Sequence, residues 1–212
     1  NHGITLKRYK VIPGSGINTE EFQYQEYPKD NNIVRFLFIG RIMKDKGIEE
    51  LIEAAKRVKE EHTNVQFDAL GFCEDEYKDK VEILQEKNII TFHGVKDTVR
   101  EYLKSSHAVI HPTYHEGMSN VLLEAAATGR PVLASNIPGC KEIFDDGISG
   151  FGFEPKNIES LTQAILKFIK LTNQEKLTMG EEGRKKVERE FDRSIVVDAY
   201  LHEIYRTMEG KK

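Results

Sequence analysis

The chain has 212 residues, with 31 Lys+Arg against 35 Asp+Glu, a formal net charge of −4 and two cysteines. That length suits one well-buried α/β domain, the acidic balance lacks the basic surplus that nucleic-acid binding draws on, and Cys73 and Cys140, far apart and outside any CxxC or Cys/His spacing, suit a reducing compartment without structural zinc. Apolar runs such as Phe36–Gly40 and Ala108–Ile110 fall far short of the roughly 20 residues a membrane helix needs, and no signal-peptide pattern is present, so a cytoplasmic location without a transmembrane segment is expected.

The chain opens Asn1-His2-Gly3-Ile4 without a Met and runs into a strand-like Tyr9–Ile12, which reads as a fragment from which an N-terminal part has been cut. After the turn Pro13-Gly14-Ser15-Gly16 and a polar stretch from Glu20 to Asn32 comes Ile33–Gly40, apolar and β-rich, the pattern of a strand buried on both faces. Ile48, Leu51, Ile52, Ala55 and Val58 then recur at helical spacing opposite Glu49, Glu53, Lys56 and Lys59, the pattern of an amphipathic helix.

The alternation continues with a strand at Val65–Leu70, a helix around Tyr77–Glu86, a strand at Ile89–Phe92 and a helix at Asp97–Lys104. A strand at Ala108–His111, a helix at Ser119–Thr128 and a strand at Pro131–Ala134 follow. Such alternation predicts a Rossmann-like, doubly wound α/β fold with a parallel sheet. From Ile158 the chain reads as helices only, Leu161–Leu171, Gln174–Glu190 and Ser194–Met208. The apolar residues Ile195, Val196, Ala199, Leu201, Ile204 and Tyr205 of the last one suggest that it lies on a surface.

Ligands of an open parallel sheet sit beyond the C-terminal strand ends, here Gly40-Arg41, Gly71-Phe72, His93-Gly94-Val95, His111–Gly117 and Ser135–Gly139. The richest is His111-Pro112-Thr113-Tyr114-His115-Glu116-Gly117-Met118-Ser119-Asn120, which leads into the helix Val121–Ala127. Gly117 lets a backbone approach a ligand, and Ser119 or Asn120 can cap the helix. A helix start of this kind attracts phosphate oxygens, with a dipole contribution of roughly 0.3–1 kcal/mol beyond the hydrogen bonds. Glu116 and Glu124 flank it, and each can accept hydrogen bonds from sugar hydroxyls. Three other Glu pairs share their spacing, Glu53/Glu61, Glu74/Glu82 and Glu182/Glu190, but those lie in charged helical stretches where a solvated face explains them.

His115–Glu124 resembles the E-x7-E signature of the family 4 glycosyltransferases, and Gly40-Arg41 to Lys46-Gly47 resembles their G-R-x4-K-G element. Pro13–Asn18 is similar to the approach to their C-terminal domain, and Gly147–Phe151, preceded by Asp146, to their D-G-x-x-G-F/L block. The likeness covers almost the whole chain in the family's own order. It implies one half of a GT-B fold, with residues 1–18 as an interdomain segment, 19–190 as the donor-binding domain and 191–212 as a C-terminal helix that packs toward an absent N-terminal domain.

The resemblance further implies that Arg41 and Lys46 clamp a donor diphosphate, that Glu124 binds the ribose hydroxyls, and that Glu116 contacts the transferred sugar or its leaving phosphate. The N–H groups of Gly117, Met118, Ser119, Asn120 and Val121 hold the distal phosphate, with Ser119 or Asn120 adding side-chain donors. The base falls near Gly71, Phe72, Gly94 and Val95. The donor is a nucleoside diphosphate sugar, UDP-sugar by default, and no other cofactor is expected. The acceptor is a glycan or lipid-linked glycan engaged through the absent domain, and the full protein can associate peripherally with the inner face of the membrane. No Asp-x-Asp pair occurs, so a metal-independent site is expected. His111 and His115 border the site without an assigned role, and His62, His93 and His107 read as surface or packing residues. The fragment alone is expected to bind nucleotide without transferring sugar. A non-catalytic nucleotide-binding module and a GT-B sugar-nucleotide epimerase are the alternatives.

Overall fold

The computed structural model describes residues 14–209; the strand-like stretch Tyr9–Ile12 and Pro13 lie outside the described residues. Strands β1 (Val34–Ile39), β2 (Val65–Leu70), β3 (Thr91–Phe92), β4 (Ala108–His111), β5 (Val132–Ser135) and β6 (Gly150–Phe153) form one sheet in the order β3-β2-β1-β4-β5-β6. Every neighbouring pair in it is parallel. Helices α1 (Ile48–Glu61), α2 (Lys78–Glu86), α3 (Arg100–Ser105), α4 (Asn120–Ala127), α5 (Ile158–Lys170), α6 (Asn173–Glu190) and α7 (Arg193–Glu209) complete the described chain. This is the doubly wound Rossmann-like sheet that the alternating pattern predicts.

Each strand side feeds a separate apolar layer because side chains alternate across a strand. Phe36 and Phe38 enter a cluster with Ile48, Leu51, Ile52, Ile165 and Phe168 from α1 and α5, and the Phe36 and Phe168 rings meet at 5.5 Å. Leu37 points the other way, into a cluster with Leu103, Leu122, Leu123 and Val187 from α3, α4 and α6. With both faces covered, β1 has no solvent side, which is why it reads as a continuous apolar run.

The sequence reading contains no strand at β6, and its two glycines explain why, since glycine is depleted from strands. Here the glycines allow close strand approach: a Cβ on Gly150 would lie 2.2 Å from the Val132 carbonyl oxygen, and one on Gly152 would lie 2.2 Å from Asn136 Oδ1. The expected strand Ile89–Phe92 contracts to two residues, and α3 starts at Arg100 instead of Asp97. Between β2 and α2, residues Asp75–Tyr77 form a 3₁₀ turn.

Arg130, read from sequence only as part of a helix stop, is fully buried. Its guanidinium donates to the carbonyls of Leu103 (2.8 Å), Glu26 (2.7 Å), Gln25 and Gly129 (both 3.2 Å), and so ties the polar stretch before β1 to the sheet. The described part of the 1–18 segment also meets the α6–α7 junction. The Ile17 N–H donates to the Phe191 carbonyl (2.8 Å), and the Arg193 N–H donates to that of Ile17 (2.9 Å). Along α7, Val196 is buried while Ile195, Val197, Tyr200, Leu201, Ile204, Tyr205 and Met208 are exposed. No helix among the described residues is long and apolar enough to cross a membrane.

Candidate functional site

The strand order turns back between the hydrogen-bonded neighbours β1 and β4, so the crevice at their C-terminal ends is where an open α/β sheet presents ligand groups. Arg41 and Lys46 follow β1, and Glu116 follows β4. A 3₁₀ turn at Lys44–Lys46 ends on Gly47, whose φ of 71° is left-handed. A Cβ there would lie 2.0 Å from the Pro112 carbonyl oxygen, so only glycine allows both the turn and its contact with the β4 loop. The Tyr114 N–H donates to the Asp45 carbonyl at 2.9 Å and joins the two loops. Lys46 Nζ consequently reaches Glu116 Oε1 at 2.6 Å.

The same oxygen lies 3.1 Å from Nε2 of His111, the last residue of β4, which is 2 % exposed. Burial alone would raise the Glu116 carboxyl, but the hydrogen bonds from His111 and Lys46 outweigh it and hold the group at about 2. Glu116 is therefore an anion throughout the neutral range. The loop carrying it rests on Gly139, which would meet the Gly117 and Glu116 carbonyl oxygens at 2.6 and 2.7 Å if it bore a Cβ.

Ser119 caps α4: its hydroxyl oxygen accepts from the Leu122 N–H at 3.3 Å, and its own N–H donates to the Gly139 carbonyl at 2.9 Å. Accepting from Leu122 leaves the Ser119 hydroxyl its own proton; Ser119 is buried, whereas the neighbouring Asn120 is exposed. The Leu123 N–H donates to the Ser119 carbonyl, which leaves the Asn120 and Val121 amides as the first-turn donors without an intrahelical partner. Among the described residues nothing lies within 4 Å of where a Gly117 Cβ would stand, while Met118 is half-buried.

Glu124, on α4, is half-buried. Burial is the main reason its carboxyl is pushed up to about 7; repulsion from Glu21 adds to this and attraction to Arg100 opposes it. Arg100 and Glu21 themselves pair at 2.8 Å. The two carboxylates of the E-x7-E segment thus occupy opposite electrostatic environments.

At the remaining strand ends, the Gly71 N–H donates to the Gly94 carbonyl at 2.9 Å, bringing the two expected base-side loops together. Phe72 and Val95 are exposed beside them, at 58 % and 68 %. Arg41 is exposed, with its guanidinium 3.9 Å from Glu74. Lys46 and Glu116 are thus in contact, Arg41 stands at the start of the same loop, and Glu124 lies along the helix that follows. His93 pairs with Asp68 at 2.6 Å, and buried His107 accepts the Arg35 N–H at 3.1 Å. The sequence reading assigns no role to His111, Glu21 or Arg100. A polar residue closing an otherwise apolar buried strand is the signal that singles out His111; Glu21 and Arg100 carry no local signal.

A sequence profile described as "Glycosyl transferases group 1" matches residues 19–186. The chain is similar to the capsular polysaccharide biosynthesis glycosyltransferase CapM of Staphylococcus aureus, 32 % identical over 221 residues that cover 100 % of this chain and 55 % of that protein. The chain thus spans about half the length of the curated relatives it matches. Two solved structures share the fold. Anabaena HepE in complex with UDP gives a TM-score of 0.77 at 20 % identity, covering 90 % of this chain and 56 % of that one. The crystallised C-terminal domain of a group 1 family protein, LpcC of Francisella tularensis, gives 0.71 at 22 % identity, covering 84 % of this chain and 99 % of that domain.

Proposed function

The chain belongs to the group 1 glycosyl transferases, and from that premise we propose that it is the donor-binding half of a retaining, metal-independent glycosyltransferase that uses a nucleoside diphosphate sugar, with UDP-sugar the expected donor. The contact that carries this reading is Lys46 Nζ to Glu116 Oε1 at 2.6 Å, at the mouth of the β1/β4 crevice and beside the start of α4. It sets an ammonium, an anion and two free amides within one strand-end edge, the groups a sugar diphosphate engages.

Arg41, Lys46 and the amides of the Gly117–Val121 stretch other than that of Ser119, which the Gly139 carbonyl holds, receive the diphosphate. Glu116 accepts from the transferred sugar, Glu124 accepts from the ribose hydroxyls, and Phe72 and Val95 flank the base with Gly71 and Gly94. As the bond from the anomeric carbon to the diphosphate breaks, the electron pair leaves with the phosphate oxygen. Cations and oriented amide dipoles gathered at that oxygen stabilise the charge. The acceptor hydroxyl approaches the same face, gives its proton to the departing diphosphate oxygen and bonds to the anomeric carbon. Arg41, Lys46 and the helix start take the role a metal ion would otherwise fill.

The acceptor is a glycan or lipid-linked glycan of polysaccharide biosynthesis, a reading supported by the likeness to CapM. UDP is supported by the likeness to UDP-bound HepE. The exposed apolar side of α7 packs against the further domain that the longer relatives contain, and the full protein works in the cytoplasm at the membrane face. Calorimetry of this chain with UDP, GDP, ADP and their sugars tests the donor site. One nucleoside diphosphate is expected to bind, and Lys46→Ala to weaken it about tenfold or more, the loss of one charge-assisted hydrogen bond. Equal affinity in that variant overturns the reading.

A further inference from the structure

Two donors converge on a single oxygen of Glu116. Lys46 Nζ stands 2.6 Å from Oε1 and His111 Nε2 stands 3.1 Å from it. A carboxylate only accepts, so the proton between His111 and Glu116 sits on Nε2. His111 Nδ1 is buried without a hydrogen-bond partner, which makes the bond to Glu116 the one polar contact this ring has among the described residues. A histidine sealed at the end of an all-buried strand for one hydrogen bond is costly unless that bond matters.

The two donors differ in mobility. Lys46 is a flexible ammonium with three donors, and its side chain keeps 23 % exposure at the crevice edge. His111 closes β4 and is sealed by packing, with 3 % side-chain exposure. A diphosphate arriving at the edge carries more negative charge than Glu116 and draws the ammonium toward itself. Without a second donor, Glu116 would then be held only by its loop, whose next residue, Gly117, meets nothing among the described residues on its Cα side.

We propose that His111 is a positioning residue for the donor site described above: it grips Glu116 by Oε1 so that the carboxylate keeps its place, with Oε2 toward the sugar, when Lys46 turns to the diphosphate. The inference rests on the donor-site reading and adds a residue and a sequence of contacts to it. His111 touches neither the donor nor the reacting atoms; it acts through Glu116.

The test compares three substitutions in the full-length transferase that carries this chain. His111→Gln sets an amide N–H near the Nε2 position, His111→Asn leaves the donor short of Glu116, and His111→Leu keeps bulk without a donor. Nucleoside diphosphate affinity, measured on this chain with the nucleotide that the calorimetric panel identifies, reports whether the site is intact and is expected to stay within about threefold in all three. Turnover is expected to fall about tenfold or more in the Leu and Asn variants with donor KM little changed, and to recover to within about threefold of wild type in the Gln variant.

Wild-type turnover in His111→Leu overturns the proposal, as does a Gln variant as slow as the Asn variant at unchanged nucleotide affinity. Should the Leu variant not fold, the Gln and Asn variants decide the matter between them. A wild-type chain that binds no nucleoside diphosphate overturns the donor-site reading itself, a result distinct from normal nucleotide binding with His111-independent turnover.

Discussion

Glu124→Gln is expected to stabilise the free protein and to weaken its hold on nucleotide, both in a pH-dependent way. The folded protein holds this carboxyl at about 7 against an ordinary 4.5, chiefly because burial disfavours the charge. Between those values the folded state keeps a proton that the unfolded state has released, so stability declines as pH rises through that window. The gap corresponds to at most ~3.4 kcal/mol, and solvent screening of a half-buried group reduces it to about 1–2 kcal/mol. Glutamine does not ionise and escapes this cost, so the melting temperature at pH 8 is expected to rise by roughly 3–6 °C for a chain of this length, with little change at pH 5. Nucleotide affinity moves the other way. On the proposed reading the ionised Glu124 accepts from the ribose hydroxyls at pH 8, and the amide is expected to lose about tenfold or more. Near pH 6 the wild-type carboxyl is itself largely protonated and the two proteins converge. Calorimetry at pH 7 in two buffers of different ionisation enthalpy should show more proton release on binding by the wild type than by the variant, the phosphate's own contribution being common to both. A melting gain of equal size at pH 5 and pH 8, or nucleotide affinity at pH 8 unchanged by the substitution, refutes the reasoning.

Gly47→Ala forces a Cβ to within 2.0 Å of the Pro112 carbonyl oxygen at a left-handed φ, so thermal denaturation should show a loss of about 2 kcal/mol or more, together with weakened nucleotide binding. Arg130→Met removes a fully buried guanidinium that donates to several main-chain carbonyls, and denaturant titration should show a loss of about 3 kcal/mol or more while the Lys46 site keeps its chemistry. Ser119→Ala removes the α4 cap, and thermal denaturation should show a loss of about 1 kcal/mol of stability. Turnover of the full-length protein should survive exhaustive chelation; a loss restored by added Mg²⁺ or Mn²⁺ would contradict metal-independent transfer.

The sheet was legible because its central strands are buried on both faces and advertise it in runs such as Phe36-Leu37-Phe38, while α1 shows a clean apolar stripe. β6 was not legible, because its glycines answer to the neighbours Val132 and Asn136, contacts that no local window contains. At the site, the nearness of Lys46 and Glu116 could be anticipated from ordered motifs, since both follow strands that end at one edge. The partners of Glu124 could not. Glu21 belongs to a polar stretch before the first strand and Arg100 to a short helix after the third, and they meet only because the chain packs back across the sheet. For Ser119 the sequence names two uses, cap and ligand donor, and the structure shows the first, its oxygen accepting from the Leu122 N–H.

Two glutamates eight positions apart, alike in sequence, differ in charge behaviour because one has donors and the other has not. Glu116, gripped by Lys46 and His111, stays anionic through the neutral range, so in the free protein it already balances the ammonium assigned to the diphosphate. Glu124 has a carboxylate beside it and an arginine committed to that carboxylate, so its negative charge is unfavourable until a ligand supplies hydrogen-bond donors. On the proposed reading, arrival of a sugar nucleotide relieves both conditions at once: the diphosphate would give Lys46 a stronger partner while His111 keeps Glu116 in place, and the ribose hydroxyls would make ionisation of Glu124 favourable. A ligand that offers phosphates without a ribose satisfies only the first half. Between pH 6 and 8 inorganic pyrophosphate, which titrates by itself in this range, should therefore show the same pH profile with wild type and with Glu124→Gln, whereas the nucleoside diphosphate should tighten with pH more steeply in wild type than in the variant. Identical nucleotide profiles in the two proteins would mean that Glu124 does not meet the ribose.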